Sequence, residues 1–301
     1  MTHALVLLPD FVLIVLGFLI CRYTALDRPV WEAAERLVYY LLFPALLFAA
    51  IVRFPLQLGS ALPLAAAGWG VTLVGIALAY ALVRWPAAPA GLHASGAQVA
   101  FRFNSYVALA VVERVAGAPG LASIALVISL VVPLCNVAAV WPLARHGGQG
   151  YLRELARNPL IIATVAGLLF NALGLRLPGL LDTTVARIGA AALPLGLMAV
   201  GAGLQLGALR EAPRLAAALL GIRHALLPAF AMLLVVGLDL PPGQQAVVVA
   251  FAALPTASSA YVLAVRMGGH GGYTAGLVTM STLIGMVALP LWLAAWRAWA
   301  A

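Results

Sequence analysis

The chain repeats one pattern of helix-modifying residues at a distance of 150 positions. The same spacing occurs twice, at Pro9, Gly17 and Pro44 and again at Pro159, Gly167 and Pro194. A fixed internal period indicates duplicated structural units. Where such halves lie in a membrane, they commonly meet at a central binding site. We therefore expect residues 1–150 and 151–301 to form two related units with a site between them.

The composition places both units in a membrane. Of the 301 residues, 64% are hydrophobic and 9% are charged, whereas a soluble domain carries about 25% charged residues. A helix needs about 20 apolar residues to cross a bilayer. Stretches of that kind lie at 4–21, 34–52, 61–83, 96–115, 119–141, 158–175, 184–206, 213–237, 243–266 and 272–296. The sequence thus predicts an all-α membrane protein with ten transmembrane helices.

Ten spans divide into five and five, and this number sets the topology. Because five is odd, the second unit enters the membrane from the opposite side, so the repeat is inverted. All 17 basic residues are Arg. With the N-terminus outside, twelve lie on or toward the cytoplasm and five lie outside. Omitting Arg102 and Arg223, which fall within spans, leaves ten against five. The positive-inside rule then predicts that both termini are periplasmic.

A polar segment follows a proline inside the ninth stretch. Pro255 precedes Thr256, Ser258 and Ser259, with only one small residue among them. Proline removes a backbone donor and disfavours a helical conformation at the residue before it. The pattern predicts a broken helix whose second half begins at Pro255, with hydroxyls and free N–H groups that suit an anion. The alternative is a kinked helix whose hydroxyls bond to the preceding turn.

The counterpart segment in the first half is 101–106, which reads FRFNSY. Arg102 at membrane depth costs roughly 2.5–3.5 kcal/mol on insertion scales unless it faces a cavity or snorkels. Asn104 offers donors and an acceptor to a substrate or to unwound backbone. With Ser105, these residues are candidates for a binding site opposite Pro255. The alternative is that Arg102 marks the cytoplasmic end of the span and Asn104 only caps it.

Two other features are weaker candidates. Arg223 and His224 lie about ten residues into the eighth stretch, or at the end of a shorter helix that starts nearby. Gly201, Gly203 and Gly207 form a small-residue face with one G-x-x-x-G spacing, which suits close helix packing or dimerisation.

Motifs of catalytic chemistry do not occur in the sequence. It contains no H-E-x-x-H, no G-x-S-x-G, no P-loop and no G-x-G-x-x-G after a strand. The loops are too short for a soluble catalytic or nucleotide-binding domain, which excludes ATP coupling on this chain. The arginines lie in short loops and at helix ends, so the net charge of +8 does not indicate nucleic-acid binding. We expect no enzyme activity, no cofactor and no metal site.

Three segments resemble signatures of the auxin efflux carrier family. Residues 35–48 (ERLVYYLLFPALLF) resemble its second helix, and 158–163 (NPLIIA) resemble the opening of its sixth. The run from 253–257 (ALPTA) through 289–290 (LP) resembles its ninth and tenth helices. The likeness covers nearly the whole chain. The family includes plant PIN exporters and many bacterial permeases for dicarboxylates and other organic acids.

The resemblance implies a fold of two inverted five-helix repeats, related to the bile acid/sodium symporters. The fourth and ninth helices would be broken and would cross at the substrate site. Helices 1, 2, 6 and 7 would form a scaffold, often dimeric, and helices 3–5 and 8–10 a moving transport domain. The site carries over to Asn104 and to Pro255 with Thr256, Ser258 and Ser259.

The chain departs from the family pattern at two places. Family members often have a glycine and a proline shortly after the helix-4 asparagine, where residues 106–110 read YVALA. The segment between Arg145 and Arg157 is short, whereas many plant members carry a long hydrophilic loop there. The second departure favours a bacterial inner-membrane protein.

These observations predict a secondary transporter that moves a small organic anion by alternating access, with an elevator-like shift of the transport domain. A sodium-coupled symporter is the closest alternative, although the mid-membrane acids that would help to bind sodium are scarce. A proton-coupled carrier would have to use Asp10, Glu113 or His224, which are poorly placed for a relay. A non-transporting sensor on the same scaffold is the third alternative. The expected partners are the anion, the lipid bilayer and a possible second copy of the chain.

Overall fold

The computed structural model describes residues 8–53, 58–85, 89–144, 159–204, 211–257 and 259–300. Within these ranges the chain forms helices and short connections, without a β-strand. The α-helices are α1 (Leu8–Tyr23), α2 (Arg28–Leu37), α3 (Phe43–Arg53), α4 (Leu58–Ala81), α5 (Ala90–Gly96), α6 (Ser105–Ala144), α7 (Pro159–Ala172), α8 (Gly179–Ala190), α9 (Ala192–Ala202), α10 (Pro213–Gly221), α11 (Leu227–Gly237), α12 (Pro242–Ala253), α13 (Ser259–Arg266) and α14 (Gly271–Ala300).

Shorter helical turns extend or join these helices. The π-helical turns Val38–Leu42 and Ile222–Leu226 join α2 to α3 and α10 to α11. The 3-10 turns Leu82–Arg84 and Ala97–Ala100 follow α4 and α5. Each π-helical turn lies directly before a proline of the same span, so the helix widens where the proline removes a hydrogen bond.

Six helical stretches of the described chain are long and apolar enough to cross a membrane. They are Arg28–Arg53, Ala61–Arg84, Ala90–Leu143, Gly179–Ala202, Pro213–Gly237 and Gly271–Trp299. Large apolar side chains such as Leu62, Leu233 and Leu291 are exposed on them, as expected of helices that face lipid. The chain is therefore an all-α, multi-pass membrane protein.

Within the described residues, the ten stretches found in the sequence fall mostly on helices, but not all of them count as separate spans. Stretches 4–21, 158–175 and 243–266 fall on α1, on α7 and on the pair α12 and α13, which are short or interrupted. Stretches 96–115 and 119–141 fall together on Ala90–Leu143. The count of ten crossings and their inverted arrangement stay predictions.

Helix α6 has 40 residues, about twice the length that one bilayer crossing needs. Its backbone leaves the helical conformation at Gly117, where φ is 62° and ψ is −160°. This region is essentially restricted to glycine. Pro119 then suits the first turn of the helical segment that follows. The turn at Gly117 lies between the fourth and fifth apolar stretches.

Helices α1 and α9 pack with their backbones in direct contact. A Cβ atom at Gly17 would lie 1.9 Å from the carbonyl oxygen of Met198. A Cβ atom at Gly201 would lie 1.7 Å from the carbonyl oxygen of Ile14. Only glycine permits this approach, which is how small residues bring membrane helices together.

The same packing recurs between α3 and α7 with the two halves exchanged. Gly167 faces the side chain of Ile51 at 3.2 Å and the carbonyl oxygen of Phe48 at 3.6 Å. Gly167 lies 150 positions after Gly17, and Phe48 lies 150 positions before Met198. One half therefore repeats the contact of the other with the partners interchanged, as a two-fold axis between the halves would require.

The remaining helices form a second group around α12, which contacts α6, α11 and α14. Helix α14 also contacts α5 and α13. Residues 246–256 are buried without a gap, so the interrupted helix lies in the middle of this group. That position matters for the site described below.

Gly201 and Gly203 of the predicted small-residue face contact other parts of the same chain. Gly201 packs on α1, and a Cβ atom at Gly203 would lie 3.5 Å from the Arg28 guanidinium. Gly207 lies outside the described residues. A homodimer through the scaffold helices stays a prediction.

Replacing Gly17 or Gly201 by alanine should destabilise the protein by about 1–3 kcal/mol or more, because the added methyl group overlaps backbone atoms that cannot move independently. Gly237→Ala is the matched control. No described atom outside its own helix backbone and adjacent residues lies within 4 Å of its Cβ position, and alanine favours a helix by about 0.5–1 kcal/mol. Thermal unfolding in detergent measures the difference. Equal midpoints for Gly17→Ala and Gly237→Ala would contradict the close packing.

Candidate functional site

Two helix interruptions meet in the centre of the second helix group. The chain is non-helical at 101–104, between the 3-10 turn after α5 and the start of α6. It is also non-helical at 254–257, between α12 and α13. The backbone N–H of Asn104 donates to the carbonyl oxygen of Pro255 at 2.9 Å. The structure thus brings together the two polar segments that the sequence analysis paired.

The first interruption forms without the glycine and proline that the family often carries. The Asn104 carbonyl oxygen Oδ1 accepts the backbone N–H groups of Tyr106, at 3.0 Å, and of Val107, at 3.2 Å. This side chain is therefore the N-cap that starts α6. Asn104 is 2% exposed, and its amide nitrogen Nδ2 has no hydrogen-bond partner among the described residues. Asn104 caps a helix and still presents a buried, unused donor.

The second interruption follows from Pro255. Leu254 has φ −58° and ψ 147°, which is the extended conformation that a following proline imposes. Pro255 has no N–H, so the carbonyl of Phe251 loses its helical partner. The prediction that the second half-helix begins at Pro255 is wrong, because α13 begins at Ser259 in the described chain. The N–H of Thr256 instead donates to the Ser281 hydroxyl of α14.

Arg223 donates to two carbonyls at the second interruption, and one of them, that of Phe251, also accepts the Leu254 N–H at 3.4 Å. Its Nε donates to the Leu254 carbonyl oxygen at 2.6 Å, and its Nη2 donates to the Phe251 carbonyl oxygen at 3.2 Å. Arg223 is 1% exposed. No carboxylate of the described residues lies within ion-pair distance of its guanidinium. A cation is thus buried against the broken helix, with backbone oxygens as its partners.

The position of Arg223 depends on a second proline. Arg223 and His224 lie on the π-helical turn that precedes Pro228. Pro228 leaves the His224 carbonyl without a helical donor, and the Trp292 indole N–H donates to that carbonyl at 2.8 Å. The widened turn and its tryptophan anchor together fix the segment that carries Arg223. In the sequence Arg223 is only a weak candidate, although an arginine within an apolar stretch and five residues before a proline is a usable signal.

Ser281 of α14 links His224 to the second interruption. Its hydroxyl oxygen accepts the Thr256 N–H at 2.9 Å and lies 2.8 Å from His224 Nε2. Thr256 is completely buried, and its own hydroxyl has no partner among the described residues. Thr256 follows Pro255, whose carbonyl oxygen accepts the hydrogen bond from the Asn104 backbone N–H. Two buried polar side chains with unused groups therefore flank one backbone contact.

An unpaired buried polar group costs about 1–3 kcal/mol. Native structures keep few of them, and each calls for an explanation. The Asn104 amide nitrogen and the Thr256 hydroxyl are the donors that a carboxylate would accept. The two groups lie next to the hydrogen bond that joins the two interrupted helices, where both could donate to one ligand.

Arg102 and Gln98 tie the first interruption to α13. Arg102 Nη2 donates to the Ser259 hydroxyl at 2.9 Å, and Nη1 donates to Gln98 Oε1 at 3.4 Å. Gln98 Nε2 in turn donates to the Ala260 carbonyl at 3.1 Å. Sequence analysis missed Gln98, which lies three residues before the predicted polar segment and is 1% exposed. The guanidinium of Arg102 is half-buried beside the crossing.

The other predicted site residues fall around the same point. Ser105 is half-buried and is the first residue of α6. Ser258 lies outside the described residues. The structure therefore places Asn104 against Pro255 and Arg102 against Ser259, and binding of a ligand there stays a prediction.

Discontinuous helices that meet inside a membrane bundle are typical of secondary transporters. The family described as membrane transport protein matches residues 124–293, which is more than half of the chain, and the chain belongs to this family. It is the auxin efflux carrier family that the sequence motifs resemble, so that prediction is confirmed. The chain is a membrane transporter and not an enzyme.

One relative aligns along almost the full length. It is a Rhizobium meliloti (strain 1021) protein named "Putative malonate transporter". The two sequences are 27% identical over 305 aligned positions, which cover 92% of this chain and 90% of that protein.

Ser281→Ala should destabilise the protein by about 1–3 kcal/mol, because the Thr256 N–H loses its acceptor in a buried site. The control is Ser123→Ala. Ser123 is also a buried serine, but its hydroxyl bonds only to the Pro119 carbonyl of its own helix. The midpoints of thermal unfolding should differ accordingly. If Ser123→Ala lowers the midpoint as much as Ser281→Ala does, the link between α14 and the interruption has no special role.

Proposed function

We propose that this protein is a secondary transporter that carries a small organic anion, of the short dicarboxylate class, through a site at the crossing of the two interrupted helices. The observation that carries the proposal is the pair of unused buried groups, Asn104 Nδ2 and Thr256 Oγ1, on either side of the contact between Asn104 and Pro255. A substrate carboxylate would accept from both.

The charges near the crossing favour an anion. Arg223 is buried directly behind residues 251–254 without a carboxylate partner in the described chain. Arg102 lies on the other side, bonded to Ser259. Two guanidinium groups in a region of low dielectric constant raise the electrostatic potential and attract negative charge. The N-terminus of α6, which Asn104 caps, adds a partial positive charge.

The substrate class draws on the relative from Rhizobium meliloti, whose name refers to malonate. Malonate carries two carboxylates on one carbon. In the proposed complex, one carboxylate binds Asn104 and Thr256, while the other faces Arg102. A bidentate guanidinium contact suits a carboxylate better than a point charge would.

The proposed architecture consists of the units 1–150 and 151–301, each with five membrane crossings and of opposite orientation. The exchanged contacts of Gly17 with Met198 and of Gly167 with Phe48 support a two-fold relation between these units. Helices α1–α3 and α7–α9 form the proposed scaffold, and the group around α12 is the moving domain. Alternating access then shifts the crossing from one face of the scaffold to the other. The proposed location is a bacterial inner membrane, with both termini periplasmic.

Asn104→Asp separates the two functions of this residue. The aspartate oxygens can still cap α6, whereas the donor of Nδ2 is replaced by a negative charge. Losing a hydrogen bond to a charged group costs about 1.5–3 kcal/mol, so malonate affinity should fall at least tenfold with little change in the midpoint of the ligand-free protein. Malonate-induced thermal stabilisation and malonate counterflow in proteoliposomes measure this.

Ser129→Ala is the control for that experiment, because Ser129 belongs to the same helix and its hydroxyl bonds only to the Leu126 carbonyl. It should leave the malonate response unchanged. Undiminished malonate affinity in Asn104→Asp would place the site elsewhere. A folded wild-type protein without a response to any mono- or dicarboxylate would instead favour a neutral or cationic substrate, or a non-transporting role.

A further inference from the structure

We propose that the Arg223 guanidinium occupies the place of a coupling cation at the interrupted helix, so that the carrier assembles its site without sodium or potassium. The inference rests on the proposed function. It concerns what holds the second interruption together, whereas the proposed function concerns what binds at the crossing.

The contacts of Arg223 are those that a bound metal cation would make. In carriers with discontinuous helices, carbonyls of the unwound backbone coordinate the coupling ion. Here Leu254 belongs to such a segment and Phe251 to the last turn of α12 before it. Both carbonyl oxygens accept hydrogen bonds from Arg223, at 2.6 and 3.2 Å. The lone pairs that a sodium ion would need are therefore directed to a covalently attached cation.

The surroundings of this contact also disfavour a second cation. No carboxylate of the described residues pairs with Arg223. A sodium ion at the same carbonyls would lie beside an uncompensated guanidinium in a region of low dielectric constant. The repulsion at that distance is strong.

The guanidinium is also held in a fixed position. It is 1% exposed and is attached to the π-helical turn Ile222–Leu226. Trp292 anchors this turn through the His224 carbonyl, and Ser281 bonds to both His224 and Thr256. The cation thus belongs to the same rigid unit as the residues that flank the crossing, and it does not have to be bound and released in each transport cycle.

The first test measures stability without substrate. The midpoint of thermal unfolding of the purified protein is compared in sodium, potassium and choline chloride at equal ionic strength. The wild type should give the same midpoint in all three salts. Arg223→Gln should lower the midpoint by several degrees, Arg223→Lys should lower it less because it keeps the charge, and Arg214→Gln should leave it unchanged. Arg214 is the matched control, since it is an exposed arginine of the neighbouring helix α10.

Two outcomes of the stability test overturn the inference. One is stabilisation of the wild type by sodium or potassium over choline. The other is an equal loss in Arg223→Lys and Arg223→Gln, which would show that the charge is irrelevant. If Arg223→Gln yields no folded protein, the wild-type salt series and the Arg223→Lys midpoint still test the inference. The lysine variant should fold, and its midpoint should be the same in sodium, potassium and choline.

The second test measures malonate counterflow in proteoliposomes. Wild-type rates should agree within twofold in sodium, potassium and choline, and Arg223→Gln should lose at least tenfold relative to Arg214→Gln. Stimulation of the wild type more than fivefold by one cation overturns the inference. Absence of counterflow in wild-type protein would overturn the proposed function alone, since the salt-independent midpoint is measured without substrate.

Discussion

Every carbonyl that a proline frees inside a bilayer must find a donor within the protein, because no water is available there. This constraint determines how the centre of the molecule is built. Pro255 removes the helical donor of the Phe251 carbonyl, which accepts from Arg223 and from the Leu254 N–H. Pro228 removes the helical donor of the His224 carbonyl, which accepts from Trp292. The two solutions are coupled, because the widened turn before Pro228 is the element that positions Arg223. Removing one donor would therefore disturb both the interruption at 254–257 and the π-helical turn Ile222–Leu226.

The crossing itself combines complete and incomplete polar pairing. The backbone is paired across it through Asn104 and Pro255, while the side chains of Asn104 and Thr256 keep unused groups. Full pairing would rigidify the crossing and leave nothing for a ligand. The interruption at 101–104, which has no proline, also combines used and unused groups. The Asn104 side-chain oxygen caps α6, whereas its amide nitrogen has no partner in the described chain. The Asn104 side chain thus stabilises the helix start at the crossing and also presents a donor there.

The sequence was informative where the signal is local. Apolar length located the helical segments, and the proline followed by hydroxyl residues located the interruption at 254–257. It failed where partners lie far apart in the chain. Arg223 lies 28 and 31 positions from the carbonyls that it binds, and nothing near it in the sequence indicates them. The start of α13 was misplaced for the same reason, since Ser281 of another helix takes the Thr256 N–H. The repeat indicated related halves, but the backbone contact between Gly17 and Met198 could be seen only in three dimensions.

The buried charge of Arg223 has an electrical consequence. In a carrier whose moving domain contains both Arg223 and Arg102, the empty crossing bears two positive charges, and a bound dianion neutralises them. One elementary charge that crosses a membrane potential of 100 mV changes the free energy by about 2.3 kcal/mol. The membrane voltage would then act on the empty crossing and much less on a crossing that carries a dianion. Voltage, rather than an ion gradient, would bias the two halves of the transport cycle.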